Sequence, residues 1–351
     1  MEAPNDKPRV TINDVAAGAG VSRSAVSKVF NGRSGISPET TERIRAVARD
    51  LGWAPSSSAA ALASASTRTI GMVTNREPDL LVVDPHFAVL IAGVEEALVA
   101  QDFGLQLYMV GEEAAAEEAT YRRIAQQRRV DGVLLTESRV DDRRYALLSE
   151  LRLPAVQMGR PLEGAKVEAV HPAVGDSGAM EAARYLYDNG HRRIAYVAGP
   201  DDRVHTHYRR RAFVGELARL GLGLSHSVTT RFREEDAAAA VLDLMRGDAR
   251  PTAIMIANDS MAIAAIGALQ RAGWRVPDDV SIIGHDDLPF GRWIHPRLTT
   301  IEQDLFQLGR ASAIRLLQIL GRTDQSVPAL RSPALIVRES SGPAPDATPV
   351  V

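Results

Sequence analysis

Thr11-Ile12-Asn13-Asp14-Val15-Ala16-Ala17-Gly18-Ala19-Gly20-Val21-Ser22-Arg23-Ser24-Ala25-Val26-Ser27-Lys28-Val29-Phe30 is the stretch from which the rest of this chain is read. Thr11 with Asp14 three residues on is a capping box, which satisfies two orphan amides and starts a helix. Ile12, Val15, Ala16 and Ala19 then recur at helical spacing on one face. Gly20 supplies a residue tolerant of positive φ where two helices turn tightly. Ser22 caps a second helix running to about Asn31, with Val26 and Val29 inward. A small residue at 16, glycine at 20 and a branched residue at 26 give the spacing of a helix-turn-helix. Ser37-Pro38, an N-cap followed by proline at N1, starts a third helix that ends at Leu51-Gly52.

With the apolar face turned in, the second helix shows Arg23, Ser24, Ser27 and Lys28 to solvent. They sit at its N-terminal end and one turn later, where a recognition helix meets base edges. Between residues 7 and 33 the charges are Lys7, Arg9, Arg23, Lys28 and Arg33 against Asp14 alone, a local +4. The whole chain carries −3, so a nucleic-acid surface must be this local patch. A three-helix structural cap with a solvated charged face is the plainer alternative. Caps, periodicity and charge all agree with the DNA-binding one.

The remainder of the 351 residues reads as soluble α/β protein. At 45% hydrophobic and 24% charged the composition is ordinary for a globular chain, long enough for more than one domain. Cysteine is absent, which excludes disulfides and thiolate metal sites and suits a reducing compartment. No apolar run of 18 residues free of charge occurs, and residues 1–8 have no apolar core, so the expectation is a cytoplasmic protein with no membrane span. Residues 53–67 pass from Pro/Ser to an alanine-rich run, a linker able to become helical but too short to do so alone. From Thr69 on, nine short strands, Ile70–Thr74 to Leu335–Arg338, alternate with seven helices, which suits two doubly wound parallel sheets better than one.

Val10 to Ala16, Ala19-Gly20-Val21-Ser22, Val26 to Gly32, Ser37-Pro38-Glu39-Thr40 and Leu51 to Pro55 together resemble the head of the lac-repressor (LacI/GalR) family. The resemblance continues through Gly190-His191-Arg192-Arg193-Ile194-Ala195, Ala257-Asn258-Asp259, Arg275-Val276-Pro277-Asp278-Asp279-Val280-Ser281 and Gly284-His285-Asp286-Asp287. It implies base contacts from Arg23, Ser24 and Lys28, phosphate contacts from Thr11, Ser22, Ser27 and Asn31, and a hinge whose Leu62 wedges into the minor groove. Lys28 stands where the family more often has arginine, which weakens bidentate reading of guanine.

The implied architecture is a head over 8–55, a hinge over 56–67 and a periplasmic-binding-protein-like effector domain over 68–340, with a disordered Pro/Ala/Ser tail at 341–351. The N-lobe takes 68–169 and 300–324, the C-lobe 170–299 and 325–340. Ligands of such sheets bind at the carboxyl ends of strands, where Arg160, Asn258 and Asp286 fall, with Arg209 opening the helix after the Ala198-Gly199-Pro200 loop. The resemblance assigns Arg209, Asn258 and Asp286 to ligand hydroxyls and Phe232 to an aromatic wall. His86 and Phe87 face them from the other lobe. Arg209 and Asp286 also read as a cap or an ion pair, and Phe232 as core.

Nothing pairs a nucleophile with a base, and no Walker loop, dinucleotide fingerprint or metal-ligand spacing occurs. Gly175-Asp176-Ser177-Gly178 is read as a turn and helix start rather than a protease motif. The expectation is therefore not an enzyme, with no metal or cofactor, but a homodimeric repressor on a near-palindromic duplex operator. Its effector is a small carbohydrate. The alternatives are a purine or nucleoside corepressor, or a transporter's sugar receptor, which has no use for residues 10–52.

Overall fold

The computed structural model describes residues 10–30, 34–54, 66–75, 85–111 and 113–345. The chain divides into two compact units, residues 1–69 with 128–131 and residues 70–127 with 132–351.

Among its described residues the first unit has the helices α1 (Ile12–Ala19), α2 (Arg23–Phe30) and α3 (Pro38–Asp50). Asp14 reaches back to the Thr11 amide at 2.7 Å, and its carboxyl is lowered chiefly by that backbone hydrogen bond. Gly20 adopts φ +64° at the turn, as the interhelix geometry requires. Ser37 accepts from the Thr40 amide at 3.2 Å with Pro38 at the first helical position. The three apolar stripes close on one another as Val15, Ala16, Ala19, Val26, Val29, Ile44 and Ala48, all buried. Past the described part of the linker, the Asp131 carboxylate gathers residues 66–68. It accepts from the Thr67 amide at 2.6 Å, the Thr67 hydroxyl at 2.9 Å, the Arg68 amide at 3.1 Å and the Ser66 hydroxyl.

The second unit contains two sheets. The first, in order β2-β1-β3-β4-β5, is built from β1 (Thr69–Thr74), β2 (Gly104–Met109), β3 (Gly132–Leu135), β4 (Ala155–Met158) and β5 (Glu168–Val170). The helices of this lobe are α4 (Pro85–Val99), α5 (Ala114–Gln126) and α6 (Arg144–Glu150), to which a helix from far down the chain, α11 (Leu305–Ile319), is added. The second sheet, in order β11-β10-β9-β8-β6-β7, uses β6 (Ile194–Ala198), β7 (His226–Thr229), β8 (Ala253–Ile256), β9 (Ser281–Asp286), β10 (Thr299–Glu302) and β11 (Ala334–Ile336). Its helices are α7 (Ser177–Asp188), α8 (Val204–Arg219), α9 (Glu234–Arg246) and α10 (Asp259–Arg271). The β1–β3, β3–β4, β4–β5 and β6–β7, β6–β8, β8–β9, β9–β10 pairs are parallel, and β10–β11 is antiparallel.

Period-two alternation explains the layering. On β6, Ala195 and Val197 face Val241, Met261 and Ala265, whereas Ile194, Tyr196 and Ala198 face Ala182, Leu186 and Phe213. Both sheet faces are covered by helices, so central strands are apolar throughout.

Three sequence expectations need correction. First, β7, β10 and α6 were not foreseen. β7 is a short edge strand, His-Ser-Val-Thr, and β10 is Thr-Thr-Ile-Glu, so neither carries an apolar run. Second, the chain leaves the second lobe after 302 rather than at 299–300, because Thr299 to Glu302 pair with Ile283 to Asp286. It also returns later than 325, since Val327 and Leu330 pack on the first lobe's core. Third, residues 341–345 are not disordered. Gly342 accepts from His191 Nε2 at 2.9 Å and donates to the Ser281 hydroxyl at 3.1 Å, and the Ala344 amide donates to the Asn189 carbonyl at 2.9 Å. Composition alone reads as a tail, but backbone bonds to buried groups hold this segment.

Candidate functional site

On α2, Val26 and Val29 are buried and Arg23, Ser24 and Lys28 lie exposed on the opposite face. Arg23 and Lys28 make no ion pair among the described residues, which leaves both cations on the surface. Ser22, which starts the helix, accepts from the Ala25 amide at 3.2 Å. Thr11 is exposed at the start of α1, and Ser27 is half-buried. Asn31 and Leu62 lie outside the described residues. The arrangement is a short helix with its cations at and near the N-terminal end, set on a rigid three-helix core.

The second unit has a cleft of about 1280 Å³ of open space, its mouth included. Arg160, Arg209, Phe232, Asn258, Asp286, His86 and Phe87 all line it, so the seven residues singled out from the sequence are brought together. The reason is topological. Thr136 and Glu137 follow β3, Gly159 and Arg160 follow β4, Asn258 follows β8, Asp286 ends β9, and Gln303 follows β10. Parallel strands put all these carboxyl ends on the same side.

The charges are arranged unequally. Asp286, at φ +113°, accepts from Gln303 Nε2, and His86 Nδ1 stands 3.7 Å from its other oxygen. Burial pushes the Asp286 carboxyl up, but the His86 imidazole beside it and the Arg209 charge outweigh that and hold it well below the usual carboxylate range. Behind it, Asp259 is raised well above that range, first by burial and then by the Asp286 charge. Asp259 accepts from the Leu288 amide at 2.7 Å and from the Thr300 hydroxyl. Two neighbouring carboxyls are thus pushed in opposite directions, the one facing the cleft down and the one behind it up.

Arg209 makes no hydrogen bond or ion pair among the described residues and is available to a ligand. Arg160 is already engaged, 3.2 Å from Asp176 and with its guanidinium 3.9 Å from the Tyr208 ring centroid. The Asn258 side-chain oxygen caps α10 by accepting from the Met261 amide at 2.9 Å, which leaves its NH₂ for the cleft.

Phe232 belongs to the core and to the cleft lining alike. It packs against the second lobe's core over Gly199 and lines the cleft, stacked on His205 with centroids 5.7 Å apart and planes 20° apart. Burial, then the Arg209 charge, pushes the His205 imidazole down to about 3, so the ring is neutral.

The opposite wall is apolar, formed where Phe87, Leu90, Met158, Leu308 and Leu330 of the first lobe's core reach the cleft. Sequence reading assigned no ligand role to Glu137, Tyr208, His205 or Gln303. Glu137 follows a strand end that was legible, Gln303 follows β10, which was not, and Tyr208 and His205 lie on α8 beside Arg209, where sequence alone does not say which side chains turn to the cleft. Asp176 and Ser177 begin α7, and the Ser177 hydroxyl donates to the Pro333 carbonyl, so this turn is structural. No group of three His, Cys, Asp or Glu is placed to hold a metal among the described residues, and none of their helices is long and apolar enough to cross a membrane.

Residues 11–56 match a family profile described as bacterial regulatory proteins, lacI family, and residues 183–341 match one described as periplasmic binding protein-like domain. The transcriptional regulator CelR of Thermobifida fusca is 33% identical over 337 residues, 95% of this chain and 98% of that one. A solved complex of the regulator CelR with cellobiose superposes with TM-score 0.71 at 31% identity, covering 95% of this chain and all of that one. The lac repressor dimer bound to operator and the anti-inducer ONPF superposes with TM-score 0.83 at 26% identity, over 95% of this chain and 99% of that one.

Proposed function

This chain belongs to the lacI family of bacterial regulatory proteins, and on that premise we propose that it is a cytoplasmic repressor released from or held on DNA by a small carbohydrate. It is a sequence-specific DNA-binding transcriptional regulator rather than an enzyme. Two copies related by a two-fold axis present two α2 helices to successive major-groove faces, so the operator is a near-palindrome. Arg23, Ser24 and Lys28 read bases, while Thr11, Ser22, Ser27 and Asn31 contact phosphates and Leu62 enters the minor groove.

The observation that carries the effector reading is the cleft itself. An ionised Asp286, an unpaired Arg209 and the Asn258 amide line one cleft together with an aromatic ring, Phe232. A sugar offers that combination its partners, with vicinal hydroxyls for the charged groups and an apolar ring face for the aromatic. Arg160, His86 and Phe87 complete the wall. The carbohydrate class is supported by the cellobiose complex of CelR. The Phe232–His205 stack is also a flat surface suited to a purine, the second reading.

Calorimetric titration of the full chain with cellobiose and, separately, adenosine decides between them. Anisotropy on a selected operator duplex then reports the sign of the response. Cellobiose binding that shifts operator affinity is expected. Adenosine binding alone transfers the site to nucleosides, and binding of neither removes the cleft as effector site for both classes.

A further inference from the structure

The helices α4 and α11, which carry the first lobe's side of the cleft, touch through their backbones at a reciprocal pair of glycines. A Cβ placed on Gly93 would lie 1.9 Å from the Phe306 carbonyl oxygen and 3.0 Å from the Arg310 amide nitrogen. A Cβ on Gly309 would lie 2.1 Å from the Leu90 carbonyl oxygen and 3.1 Å from the Val94 amide nitrogen. Each glycine thus receives the carbonyl of the residue three before the other. Both obstacles are backbone, which cannot rotate aside as a side chain does. Restoring even a tight contact of about 3.0–3.4 Å requires the helices to part by about 1–1.5 Å.

The crossing lies within one turn of the cleft. Leu90 precedes Gly93 by three residues, and Leu308 precedes Gly309 by one. Two donors aimed at the same carboxylate ride on these helices. His86 is in the first turn of α4, 3.7 Å from one Asp286 oxygen, and Gln303 lies two residues before α11 and donates to the other. We propose that Gly93 and Gly309 are positioning residues of the effector cleft, setting the helix separation at which His86 and Gln303 converge on Asp286. This rests on the reading of the cleft as the effector site, and its test is built to separate the two.

The variants are Gly93→Ala and Gly309→Ala in the full chain. The control is Gly215→Ala, on α8, where a Cβ meets nothing within 4 Å. The His86 ring signals and Gln303 side-chain amide signals are followed by NMR, with cellobiose affinity by calorimetry. Both sets of signals are expected to move in the two variants and stay in place in the control. The cellobiose dissociation constant is expected to rise about tenfold or more, because a displacement near 1 Å misaligns directional hydrogen bonds. Operator affinity without sugar stays within about twofold of wild type.

A lowered melting temperature with unmoved His86 and Gln303 signals marks a purely structural role and overturns the proposal. If wild type does not bind cellobiose, the carbohydrate reading fails while the NMR signals still decide the positioning role. If neither alanine variant folds, Val94→Ala, which loosens the crossing without adding an atom, must move the same signals. Unmoved signals there also overturn it.

Discussion

Replacing Asp286 by asparagine keeps the shape of the side chain and removes its charge, which isolates what the anion does in the cleft. The carboxylate has two oxygens, one taken by Gln303 Nε2 and one near His86, and both retain lone pairs for ligand hydroxyls. Asparagine offers one acceptor oxygen and no charge, and its NH₂ is met only if Gln303 turns its amide or His86 accepts at Nδ1. At least one charge-assisted hydrogen bond to a sugar hydroxyl is lost, at about 1.5–3 kcal/mol. With 1.36 kcal/mol per decade, the dissociation constant for cellobiose rises by about 10- to 150-fold. Operator affinity without sugar is unchanged, so the midpoint of the sugar response in an anisotropy titration moves by the same factor. The substitution also removes the second-largest influence raising Asp259, whose carboxyl moves back toward its ordinary range; an infrared band for the protonated acid follows this. A calorimetric dissociation constant within twofold of wild type refutes the role given to Asp286.

Arg209→Ala removes the unpaired cation of the cleft and is expected to cost a similar loss of sugar affinity while leaving operator binding intact, as calorimetry and gel shift report separately. Arg23→Ala and Lys28→Ala each weaken operator binding by roughly 1–3 kcal/mol at fixed salt without touching sugar affinity; unchanged operator affinity in both removes α2 as the reading helix. Leu62→Ala lowers specific affinity by about 2–3 kcal/mol and reduces DNA bending measured by fluorescence transfer, while non-specific binding holds. His205 titrates near 3 in the folded protein, below its unfolded value of 6.5. Its contribution is therefore full above 6.5 and lost as pH falls toward 3, at no more than about 1.4 kcal/mol per pH unit. The denaturation midpoint of His205→Gln should fall less steeply than wild type across that window.

The head was legible almost residue by residue because its determinants are local. A capping box, a φ-positive glycine and a 3.6-residue apolar period each lie within a few residues of the structure they cause, and Thr11–Asp14, Gly20 and Val26/Val29 behave accordingly. The strand-end residues were legible for a related reason. An apolar run announces a strand, so the polar residue that follows it falls at a carboxyl edge, as Asn258 and Asp286 do. What stayed hidden depends on distant chain. β10 is polar in sequence and becomes a strand because β9 and β11 pair with its two edges and Arg338 and Ser340 bond to Thr299. Ser341 to Ala344 look like tail until His191, Ser281 and Asn189 bind them.

The same division separates binding a sugar from choosing one. Asp286, Arg209 and Asn258 supply charge and amide groups that any vicinal diol satisfies, and they lie at positions set by the parallel-sheet topology. Discrimination between one carbohydrate and another requires groups that meet particular hydroxyls, or refuse them, and a buried polar group left unpaired costs about 1–3 kcal/mol. In this cleft the lining groups able to do so are Gln303, His205, Glu137 and the Arg160–Tyr208 pair, with the apolar Leu90, Met158, Leu308 and Leu330 beside them. The apolar wall refuses an unpaired hydroxyl, and the neutral His205 offers one donor and one acceptor rather than a charge. A ligand in this cleft therefore meets polar groups from both lobes, with apolar contact offered by Phe232 and by the wall of Leu90, Met158, Leu308 and Leu330.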